Sequence, residues 1–148
     1  ALNLGINAYK ADWYFLCNND MLIAKPLDAS RFETLDENSL YSWVMVDKRT
    51  VGFEYLESFS MFLSQKVIDG IGLFDENFKP MFFEGSDICY RAQKAGYKLA
   101  PPLDRKEWGV HHLEDERMPE RKAYMAEHIE ERRANRIYLW KKHHLFGY

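Results

Sequence analysis

Trp13-Tyr14-Phe15-Leu16-Cys17-Asn18-Asn19-Asp20 runs five apolar residues straight into three polar ones. Aromatic and branched side chains in an almost unbroken apolar run suit a β-strand covered on both faces. The run stops abruptly at Asn18-Asn19-Asp20. In open α/β sheets ligands bind just beyond the carboxyl ends of the strands, so this polar cluster stands where a ligand would. Asp20 offers a hard oxygen of the kind that Mg²⁺ or Mn²⁺ takes, usually as one or two carboxylates alongside substrate phosphates. Taken alone, the tripeptide equally describes an Asx-rich turn that ends a strand.

Upstream, Leu2 to Tyr9 has the pattern of a helix end. Downstream, Pro26 and the Ser30…Glu33 spacing predict a short helix through about Leu35. Leu40 to Val46 is expected as a second strand, and a third extended segment runs from Gly52 to about Leu63. Gln65 to Ile71 reads as a short helix closed by Gly70 and Gly72. Asp87 to Ala95 reads as a helix ending at Gly96, with short extended segments at Lys98–Leu103 and Trp108–Leu113. Pro119 is expected to open one long amphipathic helix over 119–142, with Met125, Ile129, Ile137 and Trp140 inward. Strands and helices alternate irregularly in one domain over 1–148, which places the chain in the α/β class.

Whole-chain properties narrow the function. A 148-residue chain with 47% hydrophobic residues can bury a real core. Its net charge of −3 gives no electrostatic footprint for nucleic acid. No apolar run approaches the ~20 residues that span a bilayer, so no transmembrane segment is expected and any membrane contact would be peripheral. Cys17 and Cys89 make neither a disulfide framework nor a zinc site. As two buried thiols they suit a reducing, cytoplasmic compartment.

Two further clusters carry candidate chemistry. In Phe83-Glu84-Gly85-Ser86-Asp87 two carboxylates flank a helix start. Ser86 is placed to cap that helix, and the macrodipole favours Asp87 in its first turn. Alternatively Asp87 or Glu84 is a general base, its pKa raised by aromatic neighbours at a pocket mouth. The other cluster, His111-His112, ends a short strand. Adjacent strand residues face opposite ways, so one histidine can meet a metal while the other does not. His143-His144 reads as a solvated helix end.

In this order the stretches resemble the family-2 inverting glycosyltransferases, which have the GT-A fold. Asn3-Leu4-Gly5-Ile6-Asn7-Ala8 with the strand to Asp20 looks like the helix and strand that lead to that family's Asp-x-Asp-type metal motif. The segment from Ser60-Met61-Phe62-Leu63 to Ile71-Gly72-Leu73-Phe74-Asp75-Glu76-Asn77-Phe78 is similar to its acceptor side. Phe82-Phe83-Glu84-Gly85-Ser86-Asp87-Ile88-Cys89-Tyr90-Arg91, through Ala95-Gly96-Tyr97, looks like the acidic motif and helix of its catalytic base. Val110-His111-His112 resembles the strand whose histidine joins the metal.

The resemblance implies a GT-A-like mixed sheet flanked by helices, covering the metal- and acceptor-binding half of that fold. The nucleotide-binding half is then expected from outside these 148 residues, from further chain, a second copy or a partner. It also implies a divalent ion, Mn²⁺ or Mg²⁺, held by Asp20 with Asn18 and His111 or His112, and a diphosphate beside Asn18, Asn19 and Asp20. The donor would be a UDP- or GDP-linked sugar, and the acceptor a hydroxyl of a glycan, lipid or protein. Asp87 or Glu84 would take the acceptor's proton, with Asp87 preferred. Trp43, Tyr55, Phe59 and Phe83 would offer ring-stacking surfaces. Two departures stand out: an amide, Asn18, opens the metal motif, and Gly85 follows Glu84 where the family has a second acid. These departures suit the competing reading, a non-catalytic module derived from the same fold that binds a glycan or a partner. A nucleotidyltransferase would carry a Gly-rich phosphate loop, which the sequence does not show. A hydrolase using the same carboxylates would release free sugar without an acceptor.

Overall fold

A computed structural model describes residues 2–79, 82–113 and 118–145, with side chains for all of these except Met118 and Arg121. The expected α/β class holds. Helix α1 (Leu2–Ala8) leads to strand β1 (Trp13–Cys17), followed by β2 (Met21–Ile23) and a 3₁₀ turn over Ala29–Thr34. Strands β3 (Ser39–Ser42), β4 (Met45–Val46), β5 (Tyr55–Leu56) and β6 (Ser60–Ser64) precede helices α2 (Gln65–Ile71) and α3 (Glu84–Lys94). Then come β7 (Lys98–Leu99), α4 (Arg105–Trp108), β8 (Val110–His112), α5 (Met118–Glu127) and α6 (Ile129–His143).

The main sheet has the order β1-β6-β3-β7. Its first two pairings are antiparallel and the β3–β7 pairing is parallel, so the sheet is mixed. Strand β1 lies at the edge, not in the centre as its apolar run suggests. The strands buried along their whole length are β6 and β3. Strand period-2 alternation divides β6 between two cores. Phe62 faces an aromatic cluster with Trp43 and Trp108, while Met61 and Leu63 face the helices α2, α3 and α6. Both faces of the sheet are therefore covered, which is why the middle of β6, Met61-Phe62-Leu63, is apolar without a break.

Several local expectations are corrected. The predicted strand over 40–46 breaks after Ser42, and the segment from Gly52 pairs only at β5 and β6. Ser86 does not cap α3. The helix starts three residues earlier than predicted, at Glu84, and Ser86 is buried inside it. Its N-cap is Phe83, which has φ 70 and makes no side-chain capping bond. The short helix near Ser30 is capped by Asp28, whose side chain accepts from the Ser30 amide at 3.0 Å. The long helix over 119–142 is two helices that meet at His128. Its predicted inner face is partly wrong: Met125 and Trp140 are half-buried, but Ile129 is 58% exposed and Ile137 36% exposed, while Asn135 and Leu139 are buried. Cys17 is exposed and Cys89 buried. No helix among the described residues is long and apolar enough to cross a membrane.

Candidate functional site

Strand pairing assembles the first part of the site. The backbone N–H of Asn18 donates to the carbonyl of Phe59 at 2.8 Å, carrying the polar cluster past the end of β1. The chain then turns into β2, which pairs with β8 in a register that sets Met21 opposite His112. One position further, the Leu113 N–H donates to the Asp20 carbonyl at 2.9 Å. The same ladder brings His112 Nε2 to 3.5 Å from Asp20 Oδ1. Of the two histidines it is therefore His112 that turns inward, while His111 is exposed opposite Leu22. The Phe59 ring stacks flat on the His112 imidazole at 4.3 Å and 2°, and the Arg105 guanidinium lies 5.5 Å from the same ring.

Helix α3 supplies the second part. Phe82 (φ 76) and Phe83 (φ 70) both take the left-handed conformation, which bulky residues rarely adopt and which costs about 1–3 kcal/mol each. This strained pair turns the chain so that Glu84 opens the helix facing the cluster around Asp20. Burial pushes the Glu84 carboxyl above its ordinary value, opposed by hydrogen bonds that include Ser58 Oγ, 3.4 Å from Oε1. Its other oxygen, Oε2, is buried with no hydrogen-bond partner among the described residues. Gly85 lies against Ser58: a Cβ there would come 2.3 Å from the Ser58 Cβ.

One pocket of about 830 Å³ collects these groups. Asn18, Asn19, Asp20, His112 and Glu84 all line it, as do Tyr55, Phe59 and Phe83. Tyr124 and Arg132, from the two C-terminal helices, close another side. Trp43 belongs to the aromatic core instead, where its indole N–H donates to Ser60 Oγ. A carboxylate and an imidazole meeting beside two amides form a donor set that suits Mn²⁺ when phosphate oxygens complete the shell. Among the described residues no group of three or more His, Cys, Asp or Glu side chains could hold a metal alone. Asp20 and His112 would be the protein's share of such a shell, and the Asn18 and Asn19 amides line the same pocket.

Asp87 does not reach the pocket. It lies one turn further along α3, fully buried, and its two oxygens are already engaged. Arg91 Nε meets Oδ2 at 2.8 Å, and both Lys142 Nζ and His143 Nε2 meet Oδ1 at 2.7 Å. Hence His143 is not a solvated helix end. Burial pushes its imidazole below its ordinary value, opposed by the pull of Asp87. The Arg91 guanidinium also donates to the carbonyls of Ile71 and Leu73, tying the loop after α2 to α3. Asp87 is thus an anchor of α3, and Glu84 is the carboxylate that faces the pocket. Arg132, Tyr124 and Asp87's partners on α6 were not foreseen as parts of the site, because their role depends on how the C-terminal helices fold back.

Comparison with protein-family models, with curated proteins and with solved structures finds no match to this chain.

Proposed function

We propose that the pocket is the transfer site of an inverting nucleotide-sugar glycosyltransferase of GT-A type. The observation that carries this reading is convergence. Three segments far apart in sequence, at Asn18–Asp20, Glu84 and His112, line a single pocket, in roles that a sugar transfer requires. The donor is a UDP- or GDP-linked sugar and the acceptor a hydroxyl on a glycan, lipid or protein. A base-binding half for the donor would come from further chain, a second copy or a partner. The enzyme is read as cytoplasmic and at most membrane-peripheral; no helix among the described residues is long and apolar enough to cross a membrane.

Each residue then has a physical task. Asp20 and His112, with Asn18 beside them, would hold the Mn²⁺ or Mg²⁺ of a donor diphosphate. That ion supplies positive charge against the charge developing on the leaving group. Glu84 rather than Asp87 is the base, because it faces the pocket and carries a buried oxygen with no hydrogen-bond partner among the described residues. Burial raises its proton affinity toward the working range of a base. It removes the acceptor hydroxyl's proton as that oxygen bonds to the anomeric carbon. The bond from that carbon to the diphosphate oxygen breaks on the opposite face, the electron pair leaves with the diphosphate, and the sugar's configuration inverts. Tyr55, Phe59 and Phe83 offer ring faces along the pocket wall.

The experiment is a binding titration of the chain with UDP and GDP, with and without Mn²⁺, with Asp20→Ala as control. Metal-dependent binding of one nucleotide, lost in Asp20→Ala, is expected. Absence of binding for both nucleotides would count against the donor site. Gly85 favours a second reading, a non-catalytic module of the same fold, since the close Ser58 leaves no room there for a second acid. That module would bind a sugar or nucleotide without turnover, and Glu84→Gln would then change nothing.

A further inference from the structure

Helix α3 has no conventional start. Its N-cap residue makes no capping bond, and two successive aromatic residues before it are in the left-handed conformation. Such a turn persists only where surrounding structure over-determines it. The restraint comes from one face of α6. Residues Asn135, Tyr138, Leu139, Lys142 and His143 share that face by helical spacing. The Asn135 side-chain amide donates to the carbonyl of Lys79 at 3.2 Å and of Phe82 at 3.4 Å. Tyr138 Oη and Lys142 Nζ donate to Asp75 Oδ2 at 2.9 and 2.7 Å. Leu139 is fully buried between these polar anchors. Lys142 and His143 then close on Asp87, one turn beyond Glu84. Three consecutive turns of α6 therefore grip the loop before Glu84, the strained turn itself and the helix after it.

We propose that Asn135, Lys142 and His143 are positioning residues, through which the C-terminal helix holds the Phe82–Phe83 turn and so aims the Glu84 carboxylate into the pocket. None of them touches the reacting groups. The inference rests on the reading of Glu84 as the base, but it concerns a different half of the site from Asp20 and His112. The metal side is built by the β2–β8 ladder, which α6 does not enter. Loosening α6 should then disturb Glu84 and spare the metal side.

The test follows the Glu84 carboxyl by carbon-13 NMR in the full chain, its signal assigned by its loss in Glu84→Gln. In His143→Ala the Glu84 titration midpoint is expected to fall toward the ordinary ~4.3 as water reaches the loosened turn. Amide exchange over residues 84–88 should quicken by roughly tenfold or more, while β1 and β6 keep their protection. His143→Gln keeps an N–H to give Asp87 and should restore the parent midpoint. Should His143→Ala unfold the chain, Asn135→Ala, which frees the Phe82 carbonyl, reads the same midpoint. An unmoved midpoint, an equal fall in His143→Gln, or a matching loss of protection in β1 and β6 would each overturn the proposal. Mn²⁺-dependent binding of UDP or GDP should survive in these variants. Its absence in the parent chain would count against the transferase reading, while the Glu84 midpoint would still decide the positioning role.

Discussion

Replacing Gly85 by alanine should destabilise the chain, although alanine is the better helix former. Gly85 is the second residue of α3, where glycine ordinarily costs up to about 1 kcal/mol relative to alanine. On propensity alone the change would stabilise. Against that, the new Cβ would come 2.3 Å from Ser58 Cβ, 2.7 Å from its Oγ and 3.3 Å from its Cα. Those atoms belong to, or adjoin, the backbone between β5 and β6, so no rotamer change removes the overlap. Either that loop or the start of α3 must move, and overpacking of this kind typically costs about 1–3 kcal/mol. Contacts this far below 3.0 Å put the cost at the upper end, about 2–3 kcal/mol, so subtracting a propensity gain of about 1 kcal/mol leaves a net loss of about 1–2 kcal/mol, measurable as a lower urea midpoint with unchanged slope. Ser58→Gly removes the Cβ and Oγ it would meet. The pair Ser58→Gly/Gly85→Ala should therefore recover at least ~1 kcal/mol of coupling in a double-mutant cycle. A Gly85→Ala chain as stable as the parent, or additivity within the cycle, would refute the close approach of α3 to Ser58. An acid at 85, where the resembled family has one, would meet the same obstruction with a longer side chain.

Glu84→Gln should leave nucleotide binding intact and abolish transfer, since an amide cannot accept the acceptor's proton. It should also stabilise the fold at neutral pH. A carboxyl raised in the native state contributes stability that is present below its unfolded pKa and lost as pH rises through the native one, so the gain over the parent should vanish in acid. Urea unfolding at several pH values checks the sign; a gain that grows in acid would contradict the burial of Glu84. Asp75 titrates the other way. Burial favours its neutral form, but bonds from Lys142, Asn77 and Tyr138 outweigh this and hold it well below the usual range. Asp75→Asn should thus cost about 1–3 kcal/mol at neutral pH, narrowing as pH falls toward the native pKa. His112→Ala should weaken Mn²⁺-dependent nucleotide binding at least ~10-fold, as expected for loss of a metal-site group, and His111→Ala should not. Equal effects would contradict the β2–β8 register. With a thiol reagent under native conditions, Cys17 should react and Cys89 should not. Burial pushes Cys89 up to about 12, and it should react only on unfolding.

What sequence could reveal followed from how local the cause was. The span of β1 is legible because Trp13 to Cys17 is bounded by polar residues, and α2 because a glycine, Gly72, closes it at positive φ. The edge position of β1 is not, since an apolar run looks the same at an edge and in a centre. At α3, Ser86 imitated a cap. The true start at Phe83 has no cap residue, because restraint from α6 takes the place of a local bond. The break at His128 has neither glycine nor proline to announce it. Asn135 lies outside the inner face expected of this helix, yet it is buried because its amide serves carbonyls more than fifty positions away. His143 was misplaced for the same reason: its partner is Asp87, 56 residues earlier. Part of the pocket's lining is legible as well. Asn18, Asp20, Glu84 and His112 were all named in advance, because strand ends and helix starts display their polar residues locally. The choice between Glu84 and Asp87 was beyond reach until the helical phase of α3 was fixed.

The pairing of the main sheet also governs how the chain acquires its structure. Strand β3 meets β6 about twenty residues later, but β1 waits for β6 about fifty residues later and β7 joins β3 nearly sixty later. Docking β1 and β7 on the β3–β6 pair therefore closes long loops, and topologies rich in such pairings fold in milliseconds to seconds rather than microseconds. During synthesis, β1 must stay unpaired until Ser64 has emerged, holding its aromatic run exposed. A chaperone that binds short aromatic segments would find Trp13 to Cys17 during that interval and lose it once β6 docks.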